Sequence, residues 1–229
     1  MTKRGKLLRL LLLKIPLFLV VFSVLWVLAL KWVPVLVTPL MVSRSIEYRK
    51  DDSFSTHKKW TRLEDISPEM VKAVIASEDN LFDTHKGFDW KEIRIAAEEF
   101  RSGKRLRGAS TITQQTARNV FLFPSNSVVR KALEAYFTLL IEWIWGKERI
   151  MEVYLNVAEM GPGIYGAQAA SNQFFGKQAS ELTRRESCLI TACLPSPLTR
   201  NPAKPSSYVQ KRASQISVLE GKLKFPDWI

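Results

Sequence analysis

Two cysteines and two histidines in 229 residues remove whole classes of chemistry at the outset. Cys188 and Cys193 lie five apart in one expected helix, which turns them to different faces, so they read as two small buried hydrophobes and not as a mutual disulfide. His57 and His85 provide no convincing zinc-ligand cluster. Alternating polar and apolar runs are nearly missing, which argues against a sandwich or barrel, and no internal repeat supports a solenoid. Acidic side chains are in deficit: 22 Asp and Glu against 34 Lys and Arg leave a net charge of +12. Taken alone, that balance suits nucleic acid, an anionic lipid surface or a phosphorylated ligand.

The N-terminus narrows the choice. Lys3, Arg4, Lys6, Arg9 and Lys14 precede an uncharged run from Ile15 to Leu30, followed by Trp32. With its apolar flanks the run reaches roughly the 20 residues needed to cross a bilayer. The basic flank predicts a cytoplasmic tip with everything beyond about residue 40 outside the membrane. A cleaved signal peptide is the rival, but no small-x-small site ends the run cleanly, so an uncleaved signal anchor is expected. Export also argues against nucleic acid, for which no recognised module is present. The expected organisation is a tip and anchor over 1–37, a connector over 38–66 and a domain over 67–229.

Within that domain the pattern is helical. Ser67-Pro68 reads as a helix start, with Val71, Val74, Ile75 and Glu78 on one face. Asp89-Trp-Lys-Glu92 and Thr183-Arg-Arg-Glu186 read as capping boxes, the first opening a helix with Ile93, Ala96, Ala97 and Phe100 inward. A helix from near Val129 carries Leu133, Phe137, Leu140, Ile141 and Ile144, and others are expected over Lys147 to Leu155 and about Ser206 to Leu219. Gly161-Pro-Gly-Ile-Tyr-Gly166 is a loop in which glycine permits close backbone approach, expected as a cleft wall.

The densest polar stretch is Arg107-Gly-Ala-Ser-Thr-Ile-Thr-Gln-Gln-Thr-Ala-Arg-Asn119, which suits a surface holding something anionic and polar. Glu78 ends an apolar stripe, where lost hydration raises a carboxylate's pKa and suits it to accept a proton; Asp79 beside it can equally share the task. The bland alternative is an acid at a helix end that reaches solvent. Arg130 and Glu134, four apart, mean by spacing alone no more than a salt bridge. For Ser110 and Thr111 a capped helix start is the mundane alternative.

Four motifs occur in order: Glu78-Asp79-x-x-Phe82-x-x-His85-x-Gly87-Phe88-Asp89, the stretch from Arg107 to Asn119, Arg130-Lys131-x-x-Glu134, and Ile150-x-Glu152-x-Tyr154-Leu155-Asn156. Together, over about residues 60 to 200, they resemble the peptidoglycan glycosyltransferases. One anchor and no room for a transpeptidase domain make the chain most similar to their monofunctional biosynthetic branch in Gram-negative bacteria. The resemblance implies a mainly α fold, with a lysozyme-like large lobe and a smaller membrane-proximal lobe, in the periplasm on a single inner-membrane helix. It implies polymerisation of lipid II into glycan strands, with inversion at C1 and release of undecaprenyl pyrophosphate.

By motif position, Glu78 resembles the base that deprotonates the acceptor 4-hydroxyl, and Glu134 a second essential carboxylate that orients Arg130 or the donor site. Arg118, where many relatives have Lys, and Arg130 resemble the pyrophosphate-facing cations. Ser110, Thr111, Gln114, Gln115, Asn119 and Lys131 would contact phosphate or sugar. His85 is expected to fix its loop, and Asn156 to tie an adjacent one. Asn126 stands where relatives commonly carry Arg, a loss expected either to weaken donor binding or to shift the load to Lys104, Arg105 or Arg107. No cofactor is required by the resemblance, while a divalent cation (Mg or Mn) near the pyrophosphate is left open. The implied partners are lipid II, the growing lipid-linked strand, the inner membrane, phosphoglycolipid inhibitors and division or cell-wall synthesis proteins. Two rival readings stand beside this one: an anchored lysozyme-like enzyme that cleaves glycan, and a non-enzymatic scaffold that binds it.

Overall fold

The apolar N-terminal run forms one rod, a π-helical turn Leu10–Lys14 leading into helix α1 (Ile15–Leu30). The computed structural model describes residues 10–52, 54–103 and 110–229, apart from the side chains of Leu10, Ala97 and Phe100. Over Leu11–Leu30 the mean hydropathy is 2.6, yet only 6% of the window is buried within the chain. An apolar helix buried so little is not the core helix of a soluble fold; its solvent is lipid.

The C-terminal end of α1 is docked firmly. Val27 is fully buried, and the Trp145 indole N–H donates to its carbonyl at 2.7 Å. Arg149 donates to the carbonyls of Leu30 at 2.7 Å and Val33 at 2.6 Å. The last turn of a helix leaves carbonyls unpaired at its negative end, which is where a guanidinium stabilises most.

Residues 38–66, expected as a connector, carry elements of their own. Thr38 caps helix α2 (Pro39–Glu47), accepting from the Met41 amide at 3.3 Å, with Pro39 in the first turn. Thr38 and Met41 are buried. Further on, β1 (His57–Lys58) joins a small sheet with β2 (Glu159–Gly161) and β3 (Ile164–Tyr165), in the order β1-β3-β2. β1 is parallel and β2 antiparallel to β3. This segment is part of the body, because contacts over 100 residues away in the sequence hold it there.

The remaining helices are α3 (Pro68–Glu78), α4 (Trp90–Arg101), α5 (Ile112–Phe121), α6 (Val128–Ile144), α7 (Lys147–Val157), α8 (Ala167–Phe175), α9 (Arg184–Cys193) and α10 (Ser207–Glu220). The mainly α reading holds, with little sheet. Ser67 caps α3, Asp89 accepts from the Glu92 amide at 2.9 Å, and Thr183 with Glu186 forms a full capping box. Small residues let α3, α9 and α10 approach closely around Ala73, Ala76, Ala192 and Ala213; free, buried Cys188 and Cys193 belong to this cluster. The larger core joins Met70, Phe82, Ile112, Ile141, Ile150 and Leu155.

On α6 Ile141 is buried, whereas Leu133 is exposed together with Val128, Val129, Leu139 and Trp143. α6 also packs against α1. Exposed apolar groups next to a membrane helix form the membrane-proximal lobe, where the inside-outside rule of water-soluble helices no longer applies.

Candidate active site

α3 stops at two adjacent carboxylates that the backbone sends in different directions. Asp79 is buried, and both of its oxygens lie 2.9 Å from His85 Nε2. Its Oδ2 also accepts from the Ile112 amide at 2.9 Å, so a carboxylate sits at the positive end of α5. The Gly87 amide donates to His85 Nδ1 at 3.1 Å, which leaves the ring proton on Nε2 to donate to Asp79. Gly87 has φ +89°, and an added Cβ would come within 2.8 Å of Thr138 Cγ2 on α6. Only glycine suits that turn. His85 thus fixes the loop, as expected, and Asp79 is committed to the same lock.

Glu78 has different partners. Its Oε2 accepts from Gln115 Nε2 at 3.1 Å and its Oε1 from the Ser77 hydroxyl at 3.3 Å. Arg212 of α10 donates to that same hydroxyl at 3.3 Å. Burial raises the Glu78 pKa above the ordinary carboxylate value, against the lowering by Gln115, Ser77 and Arg212; the charge of Asp79 adds to the rise.

Gln115 is the bridge to a cavity of about 270 Å³ lined by Gln115, Arg118, Asn119 and Tyr154, with Arg44 and Glu159. The Tyr154 hydroxyl donates to Gln115 Oε1 at 3.4 Å. That hydroxyl is buried, which raises its pKa well above the usual tyrosine value; the charge of Glu78 adds to the rise and Arg118 opposes it. One helix, α5, therefore presents an amide to the carboxylate and a guanidinium to the space beyond.

The first turn of α5 is used differently. Thr111 and Gln114, expected to line the cleft, are both buried in a reciprocal capping box, and the Thr111 hydroxyl donates to the Gly87 carbonyl at 2.7 Å. Their hydrogen-bonding groups are spent on the helix start. Ser110 is half-buried just before them. Lys104, Arg105 and Arg107 lie outside the described residues.

Glu134 is fully buried in α6 between two cations. Arg130 Nη1 donates to it at 2.6 Å, and Lys131, half-exposed, also bonds it. Arg130 further donates to the Ser125 carbonyl, tying down the loop that carries exposed Asn126. This trio is a second group, on a helix that packs along α5, and none of its members lines the cavity that holds Arg118. Among the described residues no cluster of three or more His, Cys, Asp or Glu suits a metal ion.

Asn156 bonds to backbone as expected, but its partner is distant in sequence: it pairs with both the amide and the carbonyl of Thr61 at 2.8 Å. The Gly161–Gly166 loop departs from expectation. It packs on protein backbone, a Cβ on Gly163 meeting the Ser55 carbonyl at 2.2 Å, and the cavity wall is the preceding Ala158-Glu159.

The transglycosylase family model matches residues 46–219. A biosynthetic peptidoglycan transglycosylase of Caulobacter vibrioides is 48% identical over 219 residues, spanning 96% of this chain and 93% of its own. The chain belongs to the biosynthetic peptidoglycan transglycosylase family. A transglycosylase of the same description from Bacteroides thetaiotaomicron is 52% identical over 206 residues, 89% of this chain and 83% of its own. Another, from Shewanella oneidensis, is 54% identical over 158 residues, 69% and 68% of the respective chains. This transglycosylase is an enzyme held in the inner membrane, with its domain in the periplasm, by the one helix among the described residues that is long and apolar enough to span it.

Proposed function

We propose that this transglycosylase polymerises lipid II, transferring a lipid-linked glycan to the 4-hydroxyl of an acceptor lipid II with inversion at C1. The observation that carries the reading is the continuous line from Glu78 through Gln115 to the Arg118 cavity. A neutral sugar hydroxyl is a poor nucleophile. Glu78 takes its proton while the oxygen bonds to C1, the C1–O bond to phosphate breaks, and the electron pair leaves with the diphosphate. A base with a raised pKa matches that task near neutral pH, and neutral donors on both oxygens hold it oriented without cancelling its basicity.

Charge develops on the leaving diphosphate, and fixed cations stabilise it more in the transition state than before it. Arg118 supplies one, with Asn119 and Gln115 beside it as neutral partners. Arg130 and Lys131, aimed by Glu134, supply a second group at the donor end. A guanidinium at position 118 offers phosphate a two-pronged contact that an ammonium lacks. Asp79, with His85 and the start of α5 as partners, positions Glu78 and takes no proton from substrate. The cavity's 270 Å³ falls below the roughly 300–1,000 Å³ of sites that enclose a whole small ligand, so it suits a head group whose lipid tail lies outside. A divalent ion held by phosphate oxygens would need mainly oxygen and water ligands and no protein cage.

On this reading residues 1–37 anchor the enzyme, 67–229 hold the catalytic residues, and 38–66 complete the cavity. Purified full-length protein incubated with labelled lipid II and run on a gel tests the proposal: a ladder of glycan polymer is expected. Cleavage of finished peptidoglycan without polymer from lipid II would favour the lysozyme-like rival.

A further inference from the structure

Arg44 lies outside the span that matches the family and outside every motif. It stands on α2, the helix that follows directly where the chain leaves the membrane. Leu40 and Arg44 are one turn apart on that helix and line the same cavity as Arg118. The pair offers an apolar contact and then a cation, in that order from the anchor, which is how an amphiphile with an apolar tail and a diphosphate head would present itself.

The same cavity contains a carboxylate. Glu159 is buried, and Arg44 Nε donates to its Oε2 at 3.3 Å while Nη1 holds Glu47 at 2.7 Å. The Tyr165 hydroxyl donates to the other Glu159 oxygen at 3.4 Å. A buried acid beside an anion's seat repels that anion unless something neutralises it. Burial raises the Glu159 pKa and the Arg44 charge opposes that rise. Glu159 thereby holds a half-buried guanidinium at the cavity edge, and the fork of five N–H donors can keep Glu159 and still meet a phosphate.

We propose that Arg44 is a further diphosphate-binding residue of the donor site, held at the membrane side of the cavity by Glu159 and meeting the lipid diphosphate as it enters. The inference rests on the reading of this cavity as the diphosphate seat. The helix following the anchor thereby sets donor affinity, and the membrane segment and the binding site are built as one piece.

Arg44 can be separated from a mere counter-ion for Glu159 by a double variant. Full-length Arg44→Ala, Arg44→Lys and Arg44→Ala/Glu159→Gln are compared with the parent in two assays, polymerisation of labelled lipid II and calorimetric binding of inorganic pyrophosphate. Loss of a charge-assisted contact predicts a KM for lipid II about tenfold higher in Arg44→Ala, with kcat changed less than about threefold. Arg44→Lys falls between. The double variant, which leaves no unpaired buried carboxylate and so guards against misfolding, keeps the raised KM and binds pyrophosphate about tenfold more weakly. A double variant with the parent KM and pyrophosphate affinity would reduce Arg44 to a neutraliser and overturn the proposal, as would a parental KM in Arg44→Ala. The pyrophosphate arm needs no turnover. A failure of lipid II polymerisation as the function would therefore leave the binding result readable on its own.

Discussion

Two carboxylates on neighbouring parts of this molecule receive opposite treatment. Glu78, at the end of α3, meets an amide and a hydroxyl; Glu134, in the middle of α6, is enclosed by a guanidinium and an ammonium. Neutral donors orient an acid while burial still raises its proton affinity, which makes Glu78 a base. Two cations bonded to Glu134 make it a holder of Arg130 and Lys131. The chemistry of a carboxylate is thus set by what surrounds it, and the two sites break differently when neutralised.

The largest expected effect is at Glu78. Glu78→Gln should lower polymerisation by about 10²–10⁴-fold, the usual range for a positioned base, without lowering thermal stability. The sign follows from linkage: a carboxyl whose folded pKa is raised costs stability above that pKa, a cost relieved as pH falls through it. The amide carries no such cost at neutral pH. Next is Arg118→Ala, expected to lower kcat by about 10²–10³-fold, as for other transition-state charge donors; an unchanged kcat in a steady-state assay would remove Arg118 from the leaving-group site.

Glu134→Gln sharpens the contrast, because it should lose stability as well as turnover. Uncovering two cations at a fully buried position, with Lys131 half-exposed and partly screened, costs about 2 kcal/mol, readable by denaturant titration. Equal stability in Glu78→Gln and Glu134→Gln would break the distinction between base and holder. Asp79→Asn should cost about 1–2 kcal/mol through His85 and the α5 start, with less lost activity than Glu78→Gln. The smallest effect is in pH: the acid limb of kcat/KM should fall at a pH above the ordinary carboxylate range, since Glu78 must be ionised to act.

Local rules made much of this readable in sequence. The Ser67 cap, the Asp89 cap and the Thr183 box each depend on atoms a few residues apart. Thr38-Pro39 obeys the same rule as Ser67-Pro68, but the mixed polarity of the surrounding residues hides the helix it opens. Thr111 and Gln114 show a limit of another kind. A side chain that caps a helix and one that grips phosphate have the same composition, and only burial separates them. Arg44 and Glu159 meet across 115 residues, and no periodicity predicts such a pair. Tyr154 is almost wholly buried, and its hydroxyl reaches Gln115 at the cavity.

The most direct test of Glu78 separates holding from reacting. Labelled lipid II is bound to full-length parent and Glu78→Gln protein in nanodiscs, and formation of the first new glycosidic bond is followed in the same samples. Parent-like binding with no bond formed by Glu78→Gln is the predicted result. Bond formation at the parent rate, or loss of binding together with loss of reaction, would contradict a carboxylate whose task is to take the acceptor's proton.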